Sequence, residues 1–132
     1  MIPEKTILIK KEVDIIHARK EGREMARDIG FGSVEQCRIA TAISELTRNI
    51  IRYAGHGKVV IKAIQRRHKG IEITCSDEGP GIPDIEIAMQ DGYSTSKGLG
   101  AGLPGAKRLM DDFEIQSEID CGTTVVIRKW LR

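Results

Sequence analysis

Five short groups of residues have the types and spacing that could carry chemistry. Glu45 and Asn49 stand four apart, so on a helix they stack one turn from each other, with Arg48 and Arg52 flanking. A carboxylate and a carboxamide so placed can set a proton acceptor beside a hard cation, because both present oxygens and Mg2+ selects oxygen ligands. A solvated helix face is the plainer alternative. Asp77-Glu78-Gly79-Pro80-Gly81-Ile82 follows a β-branched run. Its glycines permit close backbone approach to a flat ligand, and an Asp at a strand end can accept a hydrogen bond from an exocyclic amine; a tight turn would use the same residues. Gly98-Leu99-Gly100-Ala101-Gly102-Leu103 runs into a helical pattern, where free N–H groups and the positive end of the helix dipole suit a phosphate. It lacks the Gly-Lys-Ser/Thr of a Walker loop, and no Rossmann unit surrounds it. The polar run Tyr93-Ser94-Thr95-Ser96-Lys97 before it suits a lid or an ordinary exposed loop. Gly122-Thr123-Thr124 opens a strand, and a hairpin turn accounts for it equally well.

These groups need a scaffold, and the hydrophobic pattern supplies one. A strand over 6–10 leads to a helix over about 13–29, closed by Gly30-Phe31-Gly32. Ser33, with Gln36 three residues on, reads as the capping box of a second helix running to about Tyr53. The runs 59–65 and 71–77 alternate in period two about the polar segment 66–70 and read as an antiparallel hairpin. A helix over 104–112, with Pro104 in its first turn, precedes two strands over 113–119 and 123–130. The order implies an α+β fold, a two-layer α/β sandwich whose mostly antiparallel, mixed sheet carries its helices on one face.

With 132 residues the chain is expected to form one domain, 1–132. Seven of its 14 glycines lie between 79 and 105, where an even spread would put roughly three. Net charge is only +2, far from the basic excess that phosphate-backbone binding needs, so nucleic acid is not expected as a partner. No apolar run reaches the roughly 20 residues of a membrane span, and the charged start lacks the apolar stretch of a signal peptide. No membrane partner and a cytoplasmic location are therefore expected. Cys37, Cys75 and Cys121 are odd in number and widely separated, which indicates neither a disulfide framework nor a zinc site.

The order of the groups matters more than any one of them. Glu-x-x-x-Asn on a helix, Asp-x-Gly-x-Gly after a strand, Gly-x-Gly-x-Gly before a helix and Gly-Thr at a strand start resemble the nucleotide site of the GHKL (Bergerat-fold) superfamily of gyrase, Hsp90, histidine kinase and MutL-type ATPases. Within it, the segments 43–49, 77–84, 91–96 and 98–105 are similar to the stand-alone RsbT-type switch-protein serine/threonine kinases of the bacterial stressosome. The resemblance implies that Asn49 is the Mg2+ ligand bridging the ATP phosphates and that Glu45 polarises the attacking hydroxyl. It implies that Asp77 reads adenine with support from Thr123, that Gly79, Gly81 and Ile82 line the base pocket, and that Gly98, Leu99, Gly100, Ala101, Gly102 and Leu103 form the phosphate-binding lid. Arg48 and Arg52 come from helix geometry alone.

A histidine kinase would need a dimerisation helix pair and a phosphoacceptor, and His17, His56 and His68 stand in no such context. What the resemblance implies is an ATP- and Mg2+-dependent kinase whose substrates are STAS-domain proteins, antagonist and scaffold of the stressosome, and which on release binds and activates a phosphatase. An anti-sigma factor kinase of the same fold and a nucleotide-gated binding module without phosphotransfer are the alternatives. Glu45→Ala separates a kinase from a binding module: a kinase is expected to lose transfer while keeping nucleotide affinity, and a pure binding module to show no functional change.

Overall fold

The computed structural model describes residues 3–82, 89 and 102–132. The expectations that fall on 83–88 and 90–101, among them the lid positions Gly98, Leu99, Gly100 and Ala101, lie outside the described residues. The elements are β1 (Glu4–Ile9), α1 (Glu12–Ile29), α2 (Ser33–Ala54), β2 (Gly57–Gln65), β3 (Lys69–Asp77), α3 (Gly102–Leu109), β4 (Asp112–Glu118) and β5 (Gly122–Trp130). The strands form one sheet in the order β1-β2-β3-β5-β4. All of its described pairings are antiparallel, the limiting form of the mostly antiparallel sheet expected from the pattern.

Alternation along the strands decides which face is covered. On β2, β3 and β5 the buried apolar side chains are Val59 and Ile61, then Ile71, Ile73 and Cys75, then Val125 and Ile127, all on one face because side chains two apart share it. They meet Ala18 and Met25 of α1 and Ile39, Ile43, Leu46 and Ile50 of α2. Both long helices therefore pack on that face with α3 beside α2, while the other face carries pairs such as Arg128 Nε to Glu72 Oε2 at 2.8 Å.

Several boundaries depart from the sequence pattern for identifiable reasons. Ser33 is already helical and Gly32 is the N-cap. The Gln36 side chain donates instead to the Phe31 carbonyl at 2.8 Å and its backbone N–H to Gly32 O at 2.9 Å, so no Ser33–Gln36 capping box forms. The hairpin between β2 and β3 closes sooner than expected, with Gln65 opposite Lys69. The third helix starts two residues earlier, at Gly102, and stops at Leu109. Its early start has a cap in the Glu45 carboxylate, which accepts the Gly102 N–H. At the far end Lys129 Nζ donates to the Leu109 carbonyl, and Asp111 N–H joins the Arg128 carbonyl, which turns the chain into β4. Among the described residues no helix is long and apolar enough to cross a membrane.

Candidate active site

The inward face of the sheet ends in polar residues. Following the alternation on β3 past Ile71, Ile73 and Cys75 gives Asp77; on β5, running back from Ile127 and Val125, it gives Thr123; on β4, after Phe113 and Ile115, it gives Ser117. Register sets these three side by side, Asp77 opposite Thr123 and Thr123 opposite Ser117. The row next to it, Cys75–Val125–Ile115, is apolar.

Hydrogen bonds knit the polar row to the turns around it. Asp77 Oδ1 accepts the Gly79 N–H at 2.9 Å and the Thr123 N–H at 3.3 Å. Both of these bonds fall on the same carboxylate oxygen. Ser117 Oγ accepts the Ile82 N–H at 2.7 Å, donates toward the Gly122 carbonyl at 3.3 Å and lies 2.8 Å from Thr123 Oγ1. Two glycines make these turns possible. Gly81 has φ of +80°, and a Cβ on it would lie 2.3 Å from the Glu118 carbonyl oxygen; Gly122 has φ of +111°, and a Cβ there would lie 2.0 Å from the Asp77 carbonyl oxygen. Neither position accepts a side chain without moving a strand.

Above this row α2 presents Leu46, Asn49, Ile50 and Tyr53, spaced so that they share one face. With Cys75, Asp77, Pro80, Gly81, Ile82, Thr123 and Val125 from the sheet side and Gly102 and Leu103 from α3, they enclose a cavity of about 120 Å3. That is below the roughly 300 Å3 of pockets that hold a whole drug-sized ligand, so this cavity suits a single ring system with the rest of its molecule outside. Its walls are mostly apolar, with Asn49, Tyr53, Asp77 and Thr123 as the side chains that can orient a ring. Burial, with the Asp77 carboxylate adding to it, pushes the Cys75 thiol up to about 12, so the floor beneath is uncharged.

Of the residues singled out from sequence, Asn49, Asp77, Gly81, Ile82, Gly102, Leu103 and Thr123 converge on this cavity. Gly79 sits beside it, where a Cβ would lie 2.5 Å from the Cβ of Ala54, so its lack of a side chain lets the turn close on the end of α2. Glu45 lies one turn before Asn49, behind the wall, and is 2% exposed. Its Oε1 accepts from Arg48 Nη1 at 3.0 Å and its Oε2 from the Gly102 N–H at 3.0 Å. The sequence reading missed Ser117 and the apolar lining. Ser117 had a signal, since it is a hydroxyl where the β4 alternation asks for an apolar side chain; Leu46, Ile50 and Val125 had none, because a pocket wall and a core follow the same periodicity.

Residues 35–132 match the family of histidine kinase-, DNA gyrase B- and HSP90-like ATPases. The chain belongs to that family. Within it the similarity is specific: the serine/threonine-protein kinase RsbT of Bacillus subtilis strain 168 is 54% identical over 127 residues, which cover 96% of this chain and 96% of that kinase. The anti-sigma F factor of Heyndrickxia coagulans is 37% identical over 98 residues, 69% of this chain and 67% of that protein. The fold is shared with the mycobacterial sensor histidine kinase MprB, at a TM-score of 0.58 and 17% identity over 98% of this chain and 97% of that one. The catalytic domain of the histidine kinase ThkA superposes similarly, with a TM-score of 0.57 and 15% identity over 98% and 95% of the two chains. This family member is a serine/threonine-protein kinase with an ATP-binding domain, and the cavity lies within the matched segment.

Proposed function

We propose that this kinase transfers the γ-phosphoryl group of Mg2+-bound ATP to a serine or threonine of a STAS-domain protein, antagonist or scaffold of a stressosome. On release it binds and activates a phosphatase, and it acts in the cytoplasm. The observation that carries the reading is the convergence of Asn49, Asp77 and Thr123 on one small apolar cavity in a chain 54% identical to RsbT. Adenine fits that cavity as a flat ring whose exocyclic amine donates to the second oxygen of Asp77, with Thr123 beside it. The phosphates then extend toward the start of α3.

The donor set suits Mg2+ in a particular way. Among the described residues no cluster of three or more His, Cys, Asp or Glu side chains could cage a metal, whereas Mg2+ in phosphoryl-transfer sites is commonly held by one or two protein oxygens together with phosphates and water. The Asn49 carboxamide oxygen would supply the protein ligand, and the ion would neutralise charge on the phosphates. In transfer, the serine oxygen bonds to the γ-phosphorus as the bond to the β–γ bridging oxygen breaks. ADP leaves, and the hydroxyl proton passes to Glu45. Positioning and electrostatics supply most of the acceleration in this chemistry. The new phosphate adds roughly −1.5 to −2 charges at the contact between kinase and substrate, which favours their separation.

Purified kinase incubated with labelled ATP, Mg2+ and a STAS-domain partner is expected to label the partner on serine or threonine. An ATP-binding preparation that transfers nothing to it would sink the assignment. The anti-sigma F factor similarity favours a second reading, in which the partner set free is a sigma factor. Affinity capture on the kinase, before and after it has phosphorylated its substrate, followed by identification of the protein that replaces the substrate, separates the two: a phosphatase supports the first reading and a sigma factor the second.

A further inference from the structure

Glu45 is the most deeply buried carboxylate that the structure shows near the cavity, at 2% exposure. A charge so far from water needs strong partners, and each of its oxygens has one. Oε1 faces Arg48, whose side chain is 40% exposed, while Oε2 holds the Gly102 N–H inside the protein. Gly102 is the first residue of α3, so this N–H is one that the helix itself leaves without a partner. A negative charge there also complements the helix dipole. Gly102 and the adjacent Leu103 form the α3 wall of the cavity, and Asn49, one turn beyond Glu45, forms part of the α2 wall.

We infer that Glu45 is a positioning residue as well as a proton acceptor: through Oε2 it clamps α3 to α2 and sets the wall against which ATP binds. Nucleotide affinity then depends on the same side chain as transfer, contrary to the expectation that Glu45→Ala leaves affinity intact. The two oxygens divide the work. Oε2 is committed to the interior, and Oε1, which among the described residues is bonded by the half-exposed Arg48, is the one a substrate hydroxyl reaches by displacing the guanidinium. The clamp stands on the Gly102 contact alone, and the assignment of Oε1 rests on the proton-acceptor reading above.

Three substitutions in the whole chain separate these roles. Glu45→Gln keeps a carbonyl oxygen for the Gly102 N–H and removes the base. Glu45→Asp keeps the charge but falls one methylene short, and Glu45→Ala removes both. ATP affinity would be measured by titration calorimetry with Mg2+, backbone amide exchange followed over 102–109, and transfer assayed at saturating ATP. Glu45→Ala and Glu45→Asp are expected to weaken ATP binding roughly tenfold and to speed exchange over 102–109, in line with loss of a charge-assisted hydrogen bond. Glu45→Gln is expected to bind ATP within about threefold of the parent, with transfer slowed at least ~100-fold. Parental affinity and exchange in Glu45→Ala, or in Glu45→Asp if the alanine variant does not fold, would overturn the clamp. So would an affinity loss in Glu45→Gln as large as that in Glu45→Ala. Parental transfer by Glu45→Gln would overturn the proton-acceptor reading and leave the clamp standing.

Discussion

At the strand end of the cavity, Asp77, Ser117 and Thr123 bond to one another and to the backbone of Gly79, Ile82 and Gly122, whereas across the cavity a single carboxylate, Glu45, holds the start of α3 against α2. The first region is built from three adjacent strands whose register already fixes the side chains, and the bonds are redundant. The second joins two helices that share no backbone ladder: Leu103 and Ala106 pack into the core that α2 helps to build, and among the described residues Glu45 supplies the polar contact at the start of α3. The end proposed to read the base should therefore resist single side-chain changes in proportion to the bonds lost, and the end proposed to face the phosphates should respond most to Glu45.

Gly122→Ala tests the rigid end most severely, because the new methyl would meet the Asp77 carbonyl at 2.0 Å in a backbone with φ of +111°. Strain and overpacking together are expected to lower stability by about 3 kcal/mol, read as a shift in the denaturant midpoint. A change under about 1 kcal/mol would mean that the β3–β5 junction yields more easily than its hydrogen bonds suggest. Asp77→Asn is gentler on the fold. An amide oxygen can still accept from Gly79 and Thr123, but its NH2 then meets the adenine amine, donor against donor. ATP affinity should fall roughly 10- to 100-fold, the range for loss of a hydrogen bond to a charged group, while thermal stability stays close to parental. Unchanged affinity would remove Asp77 from the adenine role.

Ser117→Ala removes a group that supports the cavity without lining it. It leaves the Ile82 N–H and the Thr123 hydroxyl short of a partner, which should lower stability by about 1–2 kcal/mol and weaken ATP binding only severalfold through the Gly81–Ile82 turn. If affinity instead falls as far as in Asp77→Asn, the polar row acts as one unit and redundancy is the wrong description of that end.

The same contrast explains what could be read before any coordinates. Asp77, Gly81 and Thr123 stand out because close turns and strand-end carboxylates require particular residue types, and the period-two pattern places them on the covered face. The order of strands and helices followed from hydrophobic alternation, as did the one-sided packing. The Glu45–Gly102 contact was invisible: it joins residues 57 apart, and nothing in helix periodicity says that a carboxylate will turn inward to another helix rather than toward solvent. The N-terminus of α2 misled for a local reason. Ser33 and Gln36 had the spacing of a capping box, but the Phe31 carbonyl competes for the Gln36 side chain and wins.

A final substitution probes α2 and α3 at the end away from the clamp. Glu35, in the first turn of α2, accepts from Lys129 Nζ at 3.0 Å and from Arg38 Nη1 at 2.6 Å, and Lys129 also holds the Leu109 carbonyl at the end of α3. Partial burial works to raise the Glu35 pKa, but the hydrogen bond and charge of Lys129, and then those of Arg38, outweigh it and keep the carboxyl below its ordinary value of 4.5. A depressed carboxylate pKa contributes stability that is present above the unfolded value and is lost as pH falls through the folded one. Glu35→Gln should therefore lower stability at neutral pH by about 1 kcal/mol or less, and its denaturation curve should converge with the parent's as pH drops below 4.5. ATP affinity should stay within about twofold, since neither Glu35 nor Lys129 lines the cavity. If Glu35→Gln weakens ATP binding as much as Glu45→Ala does, control of the α3 wall is spread along the whole helix pair, and the contrast between a redundantly held strand end and a singly held helix end fails.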